Sequence, residues 1–144
     1  DSFNSIRPEL EIFISLAKAK HRVTIMTQEE NPYSARFKEH GIEVIDTQYK
    51  KKISLKTILD IKKVINEKYI SIVYATNSKA ISNAIFATLF MDVKLIVYRG
   101  TTGGLYRHDP ASYLNALNPR VDGVVCVSKA VENHVKRQIF CFMV

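Results

Sequence analysis

Several residue types that build specialised proteins are scarce in this sequence. Tryptophan is absent, and the only cysteines among the 144 residues are Cys126 and Cys141. Two cysteines do not make a secreted disulfide framework, and no Cys/His spacing of the zinc type is present. No apolar run approaches the ~20 residues of a membrane span, and the N-terminus lacks the basic-then-apolar pattern of a signal peptide. We therefore expect a protein of a reducing, cytoplasmic compartment without a zinc site of the Cys/His type.

Acidic residues are also in the minority. The sequence has 14 Asp and Glu against 21 Lys and Arg, which gives a net charge of +7. This excess favours anionic partners such as nucleotides, phosphorylated substrates, nucleic acid or acidic lipid surfaces. No nucleic-acid recognition motif is present, and the GxGxxG loop of a dinucleotide enzyme is absent. We therefore expect no nucleic acid among the partners.

Helix-like and strand-like patterns alternate along the chain with short connections. This alternation is typical of a Rossmann-like α/β fold, a doubly wound parallel sheet flanked by helices. At 144 residues and 47% hydrophobic composition, the chain has the size of one domain. We expect helices over residues 8–20, 32–39, 55–68, 79–90, 110–117 and from 129 onward, and strands over 22–27, 42–45, 70–74, 95–98 and 121–127.

The ends of the sequence depart from a complete doubly wound domain. The chain starts with a helix, whereas such a domain places its first strand at the centre of the sheet. The last residues, 139–144, read IFCFMV and carry no stop signal, although residues 140–144 would also suit a strand that partly fills the gap. We expect residues 1–144 to form a single domain that is incomplete at both ends. Such a fragment would be marginally stable, or would exchange elements with a second copy in a swapped homodimer.

The strongest functional pattern is KLIVYRGTTGGLYRHDP, residues 94–110. An apolar strand opens directly into Arg99 and a cluster of glycines at positions 100, 103 and 104. Ligands of open α/β sheets bind beyond the carboxyl ends of the strands, where glycines let backbone N–H groups approach an anion. A guanidinium adds a fork of donors suited to phosphate or carboxylate. The alternative is a glycine-rich turn with solvated charges, but a charge that ends a buried strand is costly without a purpose, so we favour function for Arg99.

Ordered sequence blocks extend over almost the whole chain. They are an opening helix followed by HRVTI at 21–25, GIEV at 41–44, IVYA at 72–75 with NSKA at 77–80, YRG at 98–100, PRVD at 119–122 and VCVSKAV at 125–131. In order and spacing the blocks resemble the N-terminal, acceptor-side domain of a retaining glycosyltransferase of the large family-four group. The last two blocks are the most specific. Members of that group have two facing Rossmann-like domains.

The resemblance implies transfer of a sugar from a nucleotide-sugar to an acceptor hydroxyl with retained configuration, in cell-surface polysaccharide or glycolipid synthesis. It implies no metal, no other cofactor and no protein nucleophile, so catalysis would rest on neutralising the leaving diphosphate and positioning the acceptor. Most donor contacts of the group lie in a C-terminal domain that this sequence does not contain, which predicts that residues 1–144 alone are inactive. The basic balance suits an acceptor on an anionic lipid, at the inner face of the membrane. The alternative is a non-catalytic module that binds a nucleotide or phosphorylated ligand.

The resemblance also assigns residues. It places Arg99 and His108 at the reacting centre, with His108 as a base, and assigns two further sets. It assigns binding of the donor phosphates to Arg7, Gly100, Thr101 and Gly103, and binding of the acceptor to Asn77, Arg107 and Asp109.

Simpler roles compete with several of these assignments. Arg7 would equally suit a solvated position before a helix, and His108 a surface loop. We expect Asn77, Asp109 and Ser128 to cap the helices that follow them. Two departures from the group weaken the residue assignments: residues 4–7 replace a glycine pair, and residues 98–100 replace a histidine near the reacting sugar.

Overall fold

The computed structural model describes residues 7–28, 32–47 and 49–139. Its contacts divide the chain into two compact units, residues 1–48 and 49–144. Each unit contains parallel strands joined through helices, which confirms the predicted Rossmann-like α/β class. The single domain stays a prediction. The first loop at residues 4–6 and the stub at 140–144 lie outside the described residues.

The first unit is a pair of parallel strands with two helices. Its elements are α1 (Arg7–Lys18), β1 (Thr24–Thr27), α2 (Ser34–Glu39) and β2 (Glu43–Asp46). The strands pair in register from Thr24 with Glu43 to Thr27 with Asp46. Its core consists of Leu10, Ile14, Phe37 and Ile42. Gly41 follows α2 at φ +71°, a left-handed conformation that glycine adopts without strain.

The second unit contains a three-stranded parallel sheet. Its elements are α3 (Leu55–Lys68), β3 (Ile72–Ala75), α4 (Ser78–Thr88), β4 (Lys94–Arg99), a short 3-10 helix (Pro110–Leu114), β5 (Gly123–Cys126) and α5 (Lys129–Gln138). The strand order is β3-β4-β5, so the strand that ends in Arg99 lies in the middle. All three strands run parallel, and their carboxyl ends therefore share one edge.

Helix caps and a buried helix position these elements. Ser54, Asn77 and Ser128 precede α3, α4 and α5, and each side chain accepts a hydrogen bond from the backbone N–H three residues later. This bonding satisfies a helix N–H that has no partner within the helix, and it confirms the predicted caps at Asn77 and Ser128. As its apolar sequence predicts, α4 is buried over most of its length.

The short helix predicted over residues 110–117 is present but shorter, and it is a 3-10 helix. A 3-10 helix ends at Leu114, because side chains take the backbone groups that a longer helix would use. Asn118 Nδ2 donates to the Tyr113 carbonyl, and Asn115 Oδ1 accepts from the N–H of Ala116. β5 likewise begins at Gly123 rather than residue 121, since the Val121 N–H donates to the Asn118 carbonyl in a turn.

Candidate functional site

The candidate site lies at the carboxyl edge of the β3-β4-β5 sheet. Asn77 follows β3, Arg99 ends β4, and Ser128 follows β5, so parallel pairing brings these three positions to the same edge. Arg99 pairs in register with Cys126, which is half-buried rather than fully buried. The pattern-based prediction that this edge collects polar and glycine-rich loops is thus confirmed.

Arg99 organises the loop that follows it. Its Nε donates to the Thr101 carbonyl at 2.9 Å, and its Nη2 donates to the Gly103 carbonyl. Partial burial lowers the pKa of the Arg99 guanidinium. None of the ion pairs formed within the described residues includes Arg99. Its charge is therefore held in place by carbonyl dipoles and not cancelled by a carboxylate, which leaves it able to attract an anion.

Two glycines in this loop lie at positions where a side chain would be unfavourable. Gly104 has φ +69°, a conformation that side chains rarely adopt. A Cβ at Gly100 would lie 3.2 Å from Cε1 of the Tyr98 ring, closer than an ordinary contact. The backbone around Arg99 therefore depends on the absence of side chains at both positions.

Helix α5 holds the far side of the same loop. His134 Nε2 lies 2.9 Å from the Leu105 carbonyl and donates to it, and Gln138 Oε1 accepts from the Arg107 N–H at 3.0 Å. The Tyr106 ring meets the His134 ring edge-on, with centroids 6.0 Å apart. Sequence reasoning missed His134 and Gln138. Their spacing of four residues on one helix was the available signal.

The proposed acceptor-side residues lie in the exposed part of this loop. Arg107 and His108 are exposed, and Tyr113 Oη donates to the Arg107 carbonyl at 3.1 Å. Asp109 caps the 3-10 helix, accepting from the Ala111 N–H at 3.0 Å, as predicted. Thr101 is exposed as well. Contact of these residues with an acceptor or a donor stays a prediction.

The loop after β3 is tied to the loop after β4. Asn77 Oδ1 accepts from the Ala80 N–H at 2.9 Å, and Ser78 Oγ accepts from Asn115 Nδ2 at 3.2 Å. Asn77 is therefore a helix cap beside the candidate site, and its acceptor role stays a prediction. Arg7 begins α1 in the first unit, and its side chain lies outside the described residues, so its donor contact also stays a prediction.

The residues at the carboxyl edge offer hydrogen-bond donors and hydroxyl groups to a ligand. The described residues contain no group of three or more His, Cys, Asp or Glu side chains placed to hold a metal ion. Within the same ranges, no helix is both long enough and apolar enough to cross a membrane. A guanidinium, a glycine-rich backbone and exposed Thr and His side chains suit the recognition of phosphate and of sugar hydroxyls.

The opposite, amino edge of the sheet holds a second arginine in a closed network. Arg120 Nε donates to the Thr88 carbonyl at 3.0 Å, Nη2 to the Val93 carbonyl at 2.6 Å, and Nη1 to Asp122 Oδ2 at 2.8 Å. Asp122 Oδ2 also accepts from the Leu95 N–H at 2.8 Å. That backbone bond, with further bonds from Arg120 and Lys94, holds the pKa of Asp122 below its ordinary value. The PRVD block therefore joins the end of α4 to the starts of β4 and β5.

Comparison with known protein families identifies the family of this chain. The sequence profile of Glycosyltransferase Family 4 matches residues 10–140. The chain belongs to Glycosyltransferase Family 4. The family resemblance carried by the sequence blocks is thus confirmed, together with a transferase-type domain. No curated protein and no solved structure shows a significant match to the chain.

The two most specific blocks of this Family 4 chain have different positions in the fold. The PRVD block lies at the amino edge, where its charged side chains bond to backbone and to each other. The VCVSKAV block runs through β5 to the capped start of α5, at the carboxyl edge. One block therefore belongs to a structural network, and the other lies at the edge that carries the candidate site.

Proposed function

We propose that this Family 4 chain provides the acceptor-side domain of a retaining glycosyltransferase. The reaction transfers a sugar from a nucleotide-sugar to an acceptor hydroxyl in cell-surface polysaccharide or glycolipid synthesis. Family membership supports the transferase class, and the resemblance of the sequence blocks supports the retaining outcome. The observation that carries the site assignment is Arg99, oriented by two loop carbonyls and without an ion-pair partner among the described residues.

The reaction needs the kind of group that Arg99 offers. Breaking the bond between sugar and nucleotide leaves negative charge on the departing diphosphate. A donor group that is already fixed stabilises this charge without reorganising during the reaction. The glycine-rich backbone beside Arg99, at Gly100, Thr101 and Gly103, would bind the same phosphates.

The exposed arm of the loop serves the acceptor in this proposal. Arg107, Asp109 and the neighbouring Asn77 bind it, and His108 receives the proton of its attacking hydroxyl. The nucleotide-sugar is a substrate, and the proposal includes no metal and no resident cofactor. The remaining donor contacts come from a second domain, so residues 1–144 alone would not turn over. The protein acts in the cytoplasm, at the inner face of the membrane.

Donor hydrolysis and sugar transfer by the complete protein, measured against a panel of nucleotide-sugars, test the proposal. We expect turnover of one donor, reduced about 10²- to 10³-fold by Arg99→Ala, as for loss of one charge-stabilising donor. Arg22→Ala is the matched control, because Arg22 is exposed just before β1, and it should leave turnover unchanged.

The alternative is a non-catalytic module that binds a nucleotide or phosphorylated ligand at the same loop. It predicts tight nucleotide binding by the folded protein, lost in Arg99→Ala, with no turnover of any donor. That result would contradict the transferase proposal and reduce the family match to a statement about fold.

A further inference from the structure

Helix α3 presents isoleucines to the core and two leucines to solvent. Its buried positions are Thr57, Ile61 and Ile65. Leu55 is 72% exposed and Leu59 is 56% exposed. Each of these leucines lies two positions before a buried residue, which is about 200° around the helix. The two leucines, one turn apart, therefore form an apolar strip on the outward side.

Lysines surround this strip. Residues 50–63 contain six lysines and a single acidic residue, Asp60. Lys56 and Lys63 are exposed on α3, and the lysines at 50–52 are exposed just before it, next to the exposed Ile53. Lys63 pairs only loosely with Glu67, at 3.8 Å between Nζ and Oε1. The leucines thus lie within a strongly positive surface.

A buried amide fixes the lysine segment in place. Asn83 of α4 is fully buried, and its Oδ1 accepts from the Ser54 N–H at 2.8 Å. Its Nδ2 lies 3.2 Å from the Lys52 carbonyl and 3.4 Å from the Lys51 carbonyl, both of which accept from it. The backbone before α3 is therefore anchored on the middle of α4. The lysine side chains remain in solvent.

We propose that the α3 surface binds an anionic lipid bilayer. This surface is defined as Ile53, Leu55, Leu59 and the lysines at 50–52, 56 and 63. Exposed aliphatic side chains enter the boundary between headgroups and acyl chains, while lysines attract anionic headgroups, so a bilayer satisfies both features together. Nucleic acid would use the lysines and leave the leucines in water. A second copy would bring like charges face to face across a symmetric interface.

Co-sedimentation of the complete protein with lipid vesicles tests this surface. We expect binding to vesicles of mixed phosphatidylcholine and phosphatidylglycerol, and little binding to phosphatidylcholine alone. Replacing the three lysines at 50–52 by Gln should weaken binding about a hundredfold, at roughly fivefold per lysine. Leu55→Ser combined with Leu59→Ser should weaken it about tenfold, through loss of inserted apolar area.

Matched controls come from the first unit. Ile12 and Leu16 on α1 are 55% and 40% exposed, so Ile12→Ser with Leu16→Ser removes a similar apolar pair. Gln at the exposed Lys18, Lys20 and Lys38 removes the same charge. Both controls should bind vesicles as the unaltered protein does. All four variants change exposed side chains, so their thermal unfolding midpoints should match, which separates lost binding from lost folding.

Three results would overturn the proposal. They are equal binding to neutral and anionic vesicles, undiminished binding by the double leucine variant, and equal losses in the controls. A dimer that the leucine variant dissociates, with no vesicle binding, would assign the surface to a second copy instead. Because the vesicle measurement requires no turnover, it stands or fails separately from the proposed transferase activity.

Discussion

The two edges of the β3-β4-β5 sheet use the same side chain for different purposes. At the amino edge, Arg120 is only 15% exposed and is bonded to two backbone carbonyls and the carboxylate of Asp122. At the carboxyl edge, Arg99 bonds to carbonyls of its own loop and has no carboxylate partner among the described residues. A guanidinium whose charge is paired holds elements together, whereas one that is only oriented remains available to an anionic ligand.

Comparing the two edges also distinguishes residues that carry the family resemblance from residues of the candidate site. The PRVD block is among the most specific of the sequence blocks, yet its side chains secure the strand starts at the opposite edge of the sheet from the glycine-rich loop. Arg120 contacts the carbonyls of Thr88 and Val93, which end α4 and precede β4. We infer that this block is required for folding and that the loop after Arg99 is required for function.

The largest effect on stability should come from Arg120→Ala. The change removes three hydrogen bonds, those from Arg120 to the Thr88 carbonyl, the Val93 carbonyl and the Asp122 carboxylate, which should lower the free energy of unfolding by about 2–4 kcal/mol. Urea denaturation of the two proteins measures this. Arg99→Ala is the matched comparison and should cost about 1 kcal/mol or less, because its acceptors lie in an exposed loop. Equal losses from the two variants would remove the distinction between the edges.

A smaller effect is expected from Gln138→Ala at the carboxyl edge. Its side chain accepts from the Arg107 N–H, so its loss should speed hydrogen exchange at that amide about fivefold to tenfold, with about 1 kcal/mol of local stability. Exchange measured by NMR checks this. Arg137→Ala, on the neighbouring exposed position of α5, should leave the amide unaffected. Unchanged exchange in Gln138→Ala would mean that the bond from the Arg107 N–H to Gln138 does not restrain the loop.

The smallest effect concerns pH and the amino edge. The Leu95 N–H, with Arg120 and Lys94, lowers the pKa of Asp122 in the folded protein. Its contribution to stability is therefore present above the pKa of the unfolded chain, about 4, and is lost as the pH falls through the lower folded value. The effect is modest because the side chain is partly exposed and screened by solvent.

Asp122→Asn provides the test of this contribution. The stability difference between the original protein and the variant should shrink as the pH falls below about 4. Denaturation midpoints measured across this range report the difference. A difference that is constant with pH would show that the Asp122 charge does not take part in the network.

Much of the fold follows from local sequence, and the exceptions have physical causes. The bounds of α3 are those predicted, residues 55–68, and its residues Ile61 and Ile65 are buried. Gly41 follows α2 in the left-handed conformation that is typical of a glycine at the end of a helix. The short helix predicted over residues 110–117 ends early, at Leu114, because Asn115 and Asn118 bond to nearby backbone groups. Side chains that compete for the backbone in this way leave no periodic signal.

The position of the candidate site could be predicted from the sequence, but the contacts between its side chains and the loop could not. An apolar strand that opens into arginine and glycines indicates the carboxyl edge of a parallel sheet. The bonds of His134 and Gln138 to that loop join residues about thirty positions apart, which only the folded chain brings together. The outward strip of Leu55 and Leu59 was not predicted, because leucines in an amphipathic helix usually indicate its buried face and these two are exposed.

The most direct test compares turnover per folded molecule in Arg99→Lys and Arg120→Lys of the complete protein. Lysine keeps the charge in both but cannot reproduce the fork of a guanidinium. We predict that Arg99→Lys keeps its stability and loses at least tenfold in nucleotide-sugar turnover. Arg120→Lys should lose stability while its folded fraction turns over as before. The reverse pattern would contradict the assignment of the active loop to Arg99.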